Sequence, residues 1–158
     1  MNASDILEYG NLTVLRTIEG LPESDWNTSG VCGVWSVKDI IAHLASYEQV
    51  LIEVLTSFLG GGPTPHLDRY KKGEAFNDNE VALRKDQSPV ETLAEYKAAH
   101  SQTMLLVTQI PAETLRQAGT LPWYGMEYAL DDYIVYAFYG HKREHSAQIA
   151  VFRDQIKS

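Results

Sequence analysis

The sequence predicts an all-α fold: a four-helix bundle that spans residues 1–158 as a single domain. Three observations lead to this prediction. Four long segments repeat apolar residues at helical spacing, glycine or proline interrupts the sequence between them, and no segment shows the alternation typical of a half-buried strand. Four amphipathic helices bury their apolar faces most simply in one shared core.

The first helix is predicted over residues 4–18. Ser4 is a suitable N-cap, because its hydroxyl can accept a hydrogen bond from a free backbone N–H. The apolar stripe consists of Leu7, Leu12, Val14, Leu15 and Ile18. The glycine and proline at positions 20 and 22 end the helix.

The second helix has a clearer start at Ser36. Ser36 and Asp39 match a capping box, and the Asp39 carboxylate also interacts favourably with the helix dipole. The stripe consists of Ile40, Leu44, Tyr47, Leu51, Val54, Leu55 and Phe58. Three glycines and a proline end the helix at residues 60–63. Residues 63–87 are expected to be polar and irregular, with a short helix at 79–84.

The third helix begins at residue 88, where Ser-Pro-Val-Glu supplies a cap, a proline at the first helical position and the glutamate of a capping box. Ile110 and Pro111 end it. The fourth helix is predicted to begin between Glu127 and Asp132 and to continue to the C-terminus. Its stripe consists of Leu130, Ile134, Ala137, His141, His145, Ile149, Phe152 and Ile156.

Composition and charge narrow the classes of function. Hydrophobic residues make up 44% of the chain and charged residues 22%, which is typical of a globular domain. The net charge of -8, with scattered basic residues, argues against nucleic-acid binding. We find no signal peptide and no membrane-spanning stretch. Cys32 is the single cysteine, so no intramolecular disulfide forms, and a cytoplasmic location is expected.

Three histidines are candidates for a metal site. His141 and His145 are four residues apart, so a helix places both imidazoles on one face, one turn apart. Both fall on the apolar stripe of the fourth helix, and His43 falls on the inner face of the second. Three neutral imidazoles can therefore meet in a desolvated pocket. Three histidines plus solvent are typical of an open metal site rather than a closed structural one.

A histidine pair at this spacing is weak evidence by itself, because a core histidine can simply donate to a backbone carbonyl. The third inward histidine on another helix strengthens the metal interpretation. His100 also lies on an apolar stripe and is interpreted as a core or rim histidine. His66 lies in the irregular segment and is expected to be solvated.

Several neighbouring side chains are ambiguous. Gln148 faces nearly the same way as His145 and can orient a bound water or substrate, but helix packing explains it equally well. Glu144 can orient an imidazole, although a solvated ion pair is the simpler role. Glu48 is expected to lie off the inner face of its helix. Tyr47 can line the pocket with a hydroxyl, or simply pack in the core.

Two further features lie outside the helical stripes. Trp123 and Tyr124 precede the last helix, where they can cover the site or anchor the packing. Cys32 is expected to be inert, since an isolated cysteine is reactive only in an exposed, electropositive setting. None of these side chains is assigned a catalytic role.

Two motifs carry a family resemblance. Residues 35–44 read WSVKDIIAHL and resemble the start of the second helix in the DinB/YfiT-like superfamily. Residues 141–149 read HKREHSAQI and resemble its last-helix motif. Their order and separation also fit, so the resemblance covers most of the chain.

The resemblance implies a four-helix bundle with an unusual connection order and one divalent metal ion on His43, His141 and His145. All three positions of the family's ligand set hold histidine here. Studied members of the family include metal-dependent transferases and isomerases that use low-molecular-weight thiols such as mycothiol, bacillithiol or glutathione. Others neutralise reactive small molecules.

Three functions follow as alternatives. The first is a metal-dependent enzyme, a thiol S-transferase, isomerase or hydrolase, that acts on a small electrophile. The second is a non-catalytic stress protein that sequesters a metal or a reactive compound, and the third is a bundle with packed histidines. Imidazole ligands suit several metals, with zinc or nickel preferred here. The resemblance and the frequency of two-fold assemblies also predict a homodimer.

Overall fold

The computed structural model describes residues 2–157 and confirms the all-α prediction. Apart from one bridge between Cys32 and Trp35, the regular structure in this part of the chain is helical. The helices are α1 (Ala3–Ile18), α2 (Val37–Ser57), α3 (Pro65–Lys71), α4 (Phe76–Leu83), α5 (Pro89–Val107), α6 (Ala112–Leu115), α7 (Leu130–Val135) and α8 (His141–Lys157), with a 3₁₀ turn at Glu23–Asn27 and a π turn at Tyr136–Gly140. None of these helices is long and apolar enough to cross a membrane.

The N-cap of helix α1 lies two residues before Ser4, the predicted cap. The Asn2 side chain accepts from the backbone N–H of Asp5, and the Asp5 carboxylate accepts from the backbone N–H of Asn2. Asn2 therefore caps the helix, and the prediction that Ser4 does so was wrong. The capping boxes predicted at Ser36 and Ser88 are both present.

The segment predicted as irregular contains helices α3 and α4. The Glu53 carboxylate on α2 accepts from the backbone N–H groups of His66 and Leu67, so a side chain distant in sequence satisfies the first turn of α3. His66 is accordingly paired with Glu53 rather than fully solvated. The single short helix expected at 79–84 is α4, which begins earlier, at Phe76.

Helix α2 lies at the centre of the fold. It packs along α5 and also contacts α3, α4 and α8, while α1 packs along α8. Buried apolar residues form two clusters: one includes Leu7, Leu51 and Ile134, and the other includes Ile40 and Ile149. Because α2 has neighbours on nearly every side, even several of its polar residues are buried.

Helices α7 and α8 are joined by the π turn. Helix α1 approaches this turn so closely that a Cβ atom at Gly10 would lie 2.3 Å from the carbonyl oxygen of Phe138. Only glycine fits here without a backbone shift. Gly10 therefore permits the contact that supports the start of α8, where the histidine pair lies.

Candidate metal centre

The fold brings the three predicted histidines together. His43 comes from α2, and His141 and His145 come from the first turns of α8. The Nε2 atom of His141 lies 2.9 Å from Nε2 of His43 and 3.0 Å from Nε2 of His145. Within residues 2–157, these three form a group whose ligand atoms all lie within 4.8 Å of one another.

Burial keeps these imidazoles neutral. His43 is 2% exposed and His145 is 7% exposed. Desolvation, together with the neighbouring His141 and His145, lowers the pKa of His43 to about 2. Desolvation and His145 lower the pKa of His141 to about 4, and desolvation also lowers the pKa of His145. Neutral imidazole is the form that coordinates a metal, so the cluster is ready to act as a ligand set.

The donor set fits a divalent ion. Two imidazole nitrogens at hydrogen-bonding distance need a proton or a cation between them, since two bare lone pairs repel. One nitrogen of His141 faces two such partners at once. A divalent ion held by the three nitrogens would satisfy all three lone pairs together. Three neutral nitrogen donors leave further coordination positions for solvent or substrate.

Gln148 orients one of the histidines. The Nδ1–H of His145 donates to Oε1 of Gln148 over 2.8 Å, which leaves Nε2 of His145 free of a proton and directed at the cluster. Gln148 therefore contacts a histidine of the cluster, and its predicted role of orienting a bound water or substrate stays a prediction.

The π turn affects the setting of His141. The backbone N–H of His141 bonds to the carbonyl of Tyr136, an i−5 bond in place of the usual i−4 bond to Ala137. The Ala137 carbonyl remains close to the imidazole, where it opposes the lowering of the His141 pKa. The Nδ1 atoms of His43 and His141 are buried without a hydrogen bond of standard geometry. The Ala137 carbonyl is therefore in a position to orient the His141 imidazole.

Aromatic rings enclose two sides of the cluster. The Trp35 ring lies 4.9 Å from the His43 ring and 6.5 Å from the His145 ring. On the other side, the Tyr47 ring lies 4.7 Å from both His43 and His141. These walls exclude water from much of the site, which strengthens electrostatic interactions within it.

A buried ion pair joins α2 and α8, the two helices that carry the histidines. The Lys142 ammonium donates to the Glu48 carboxylate, which also accepts from Thr103 Oγ1 over 2.9 Å. Glu48 was expected to lie off the inner face of α2; it is not part of the histidine group, but it is 0% exposed because other helices cover the remaining faces of α2. Burial raises its pKa, but Lys142 and His100 outweigh this effect and lower the pKa to about 2.

His100 is a core histidine, as interpreted from the sequence. Its side chain is 9% exposed, and its Nδ1 atom lies 3.7 Å from Oε1 of Glu48. It is not part of the three-histidine group. Glu144 is exposed, and Cys32 is half-buried beside Trp35.

A cavity of about 330 Å³ adjoins the cluster at His141. It is lined by Tyr47, Tyr70, Tyr124, Tyr133, Tyr136, Ala137, Gly140, His141 and Glu144. A second cavity of about 360 Å³ shares three of these tyrosines and is also lined by Trp123. Tyr124 lines the cavity at His141, whereas Trp123 lines the second cavity and packs against Tyr70 and Tyr133. The cavity gives a small molecule a route to His141.

The sequence reasoning missed several of these features. Tyr70 and Tyr133 carried no signal, because a tyrosine on a short helix or in an apolar stripe is usually core packing. Lys142 lies between two candidate ligands in the sequence, and a lysine at such a position is usually interpreted as a solvated cation. Its burial depends on the central position of α2, which no local pattern reports.

Comparison with known proteins agrees with this site. The family model of the DinB superfamily matches residues 11–149, a span that includes His43, His141 and His145. No curated protein and no solved structure gives a significant match. The family match covers most of the chain, and the helical fold and the histidine cluster are compatible with it. The chain therefore belongs to the DinB superfamily.

Proposed function

We propose that the protein is a metal-dependent enzyme that makes a low-molecular-weight thiol react with a small electrophilic substrate. In this proposal His43, His141 and His145 hold one divalent ion, zinc or nickel. The observation that carries it is the convergence of three neutral Nε2 atoms beside a cavity large enough for a small molecule. S-transferase, isomerase and detoxification reactions all belong to this class.

The ion would supply a Lewis acid that lowers the pKa of a thiol or water. The protein's own residues prepare the site for it. Desolvation keeps the imidazoles unprotonated, and Gln148 holds one ring in the required tautomer. Trp35 and Tyr47 cover two sides, and the cavity at His141 adjoins the cluster.

The architecture is interpreted as the four-helix bundle of this superfamily, within one domain of residues 1–158. Its members would be α1, α2, α5 and the joined α7 and α8, with the shorter helices as connections. A homodimer and a cytoplasmic location stay predictions.

Metal content tests the site first. We expect one equivalent of metal in the purified protein, most of it lost in His145→Ala, measured by elemental analysis. His66→Ala is the matched control, because this histidine lies outside the cluster and pairs with Glu53. Full metal content in folded His145→Ala would contradict the ligand assignment.

Thiol binding tests the reaction class. The cobalt-substituted protein is titrated with glutathione, bacillithiol or mycothiol, and a sulfur-to-metal charge-transfer band is expected that His43→Ala abolishes. A metal-loaded protein without this band, and without turnover of any thiol, would support the alternative function, a non-catalytic stress protein that sequesters a metal or a small molecule.

A further inference from the structure

Lys142 and Glu48 form an ion pair from which water is excluded. Their side chains are 1% and 0% exposed, and the Lys142 ammonium donates to Oε1 of Glu48. The other carboxylate oxygen, Oε2, accepts from Thr103 Oγ1 over 2.9 Å. The ammonium also lies 5.2 Å from the centre of the Tyr96 ring and 5.8 Å from that of the Phe138 ring. Partners from several helices therefore hold both charges in one place.

The pair is close in sequence to the histidines on both helices. Lys142 directly follows His141 on α8, and Glu48 lies five residues after His43 on α2. Because a helix moves as a stiff rod over this distance, a slide or rotation of α8 that breaks the ion pair also moves His141 relative to His43. Metal–nitrogen distances tolerate only about 0.2 Å of error, so even a small displacement weakens a site that both rings share.

The stem of Lys142 also passes close to α1. A Cβ atom at Gly10 would lie 3.4 Å from Cδ of Lys142. The side chain therefore runs past α1 before its ammonium reaches α2. Because it is surrounded by packed atoms, it has little room for another rotamer. Lys142 thus holds α8 in one position against both α1 and α2.

Stability by itself does not account for a buried ion pair. Removing two charges from water has a large cost, and replacing such a pair with well-packed apolar residues is often neutral or stabilising. An apolar core tolerates small shifts of one helix along another, whereas two charges without water are satisfied only where they meet. The benefit of the pair is therefore expected in a property that depends on the exact position of α8, and the histidine cluster is such a property.

We propose that Glu48 and Lys142 are positioning residues for the histidine cluster: their ion pair selects the register of α8 on α2 at which His141 meets His43. Neither residue belongs to the group of candidate ligands. The effect on metal binding rests on the proposed function, whereas the effect on the positions of the two rings is independent of it.

The first experiment separates position from stability with a double variant. Glu48→Gln with Lys142→Met removes both charges at nearly constant volume, so most of the stability that Lys142→Met loses is expected to return. In this folded double variant we expect the zinc affinity, measured against a competing chelator, to fall by about 10-fold, the lower end of the effect of residues that orient metal ligands. The visible spectrum of the cobalt-substituted protein should also change, since it reports the coordination geometry.

Val107→Ala is the matched control. Val107 is 1% exposed and lies on α5, outside the helices that carry the histidines. This variant loses stability because it leaves a cavity in the core, and it is expected to keep the zinc affinity and the cobalt spectrum of the wild type. If the ion pair served stability alone, the double variant would keep them too.

The second experiment needs no metal. The ring centroids of His43 and His141 are 4.8 Å apart, so a nuclear Overhauser effect between their ring protons is expected in the metal-free wild type and in Val107→Ala. The double variant should weaken or lose it. Glu48→Asp replaces the double variant if that protein does not fold, since it keeps both charges but shortens the side chain, so α8 must shift to preserve the pair.

Wild-type zinc affinity, or an unchanged Overhauser effect between the rings, in the folded variant would overturn the inference. A wild-type protein that binds no zinc, cobalt or nickel would contradict the proposed function, and the Overhauser effect in the metal-free proteins would then decide the inference. Metal binding by the wild type that the folded variant retains in full would leave the metal site standing and contradict the positioning role.

Discussion

Metal affinity should depend on pH far less than it would if all three histidines had the usual imidazole pKa. An imidazole with the usual pKa of about 6.5 is about 10-fold less available at pH 5.5 than at pH 7.5. Three such ligands would weaken metal binding by about 1000-fold over this range, because each must lose a proton before it binds.

The folded site shifts the competition between protons and the metal ion for these nitrogens to lower pH. Desolvation lowers the pKa of His43 to about 2 and that of His141 to about 4, so both remain unprotonated at pH 5.5. A lowered pKa means that the folded protein takes up the proton only after the pH has fallen to the lowered value. The pKa of His145 is also lowered. Even if His145 behaved as a free imidazole, the total loss would be about 10-fold.

The assay is a competition titration of zinc against a chelator of known pH dependence, at pH 7.5 and pH 5.5. Circular dichroism at both values checks that the protein stays folded. An unfolded peptide of residues 137–149 is the control, and its two unshifted imidazoles should show about a 100-fold loss. A loss near 1000-fold in the folded protein would refute the claim that burial keeps these histidines neutral.

Three further predictions concern stability and partners. Lys142→Met leaves the Glu48 carboxylate buried without its cation, so the free energy of unfolding in urea should fall by about 3–5 kcal/mol. Adding Glu48→Gln to this variant should largely restore it. A loss under about 1 kcal/mol would argue against the pair. Gly10→Ala should lower the thermal midpoint, because its Cβ would lie 2.3 Å from a backbone oxygen, and this strain exceeds the gain of about 1 kcal/mol in helix propensity; a stabilised variant would contradict this packing. With a net charge of -8, the protein should not shift duplex DNA in a mobility assay, and salt-sensitive submicromolar binding would contradict this.

Local sequence patterns were enough to predict much of the fold and which three histidines lie together. The spacing of His141 and His145 places both on one helix face whatever surrounds them, because that geometry follows from the helical repeat. The caps at Ser36 and Ser88 are equally local, since each involves residues within one turn. The prediction that Ser4 caps the first helix was wrong because Asn2 offers an equally local alternative.

The tertiary structure decided which polar groups are buried and what they contact. Glu48 is buried because α2 is surrounded by other helices, and Lys142 on α8 is buried where it meets Glu48 on α2. The burial of Tyr133 and the close approach of α1 to the π turn before His141 depend on contacts between segments distant in sequence. Periodicity along one helix identifies an apolar face, but it does not reveal how many neighbours cover the other faces. The three-histidine cluster was therefore predictable from the sequence alone, whereas the desolvation of its imidazoles and the tyrosine-lined cavity beside it arise only from the packing of the helices.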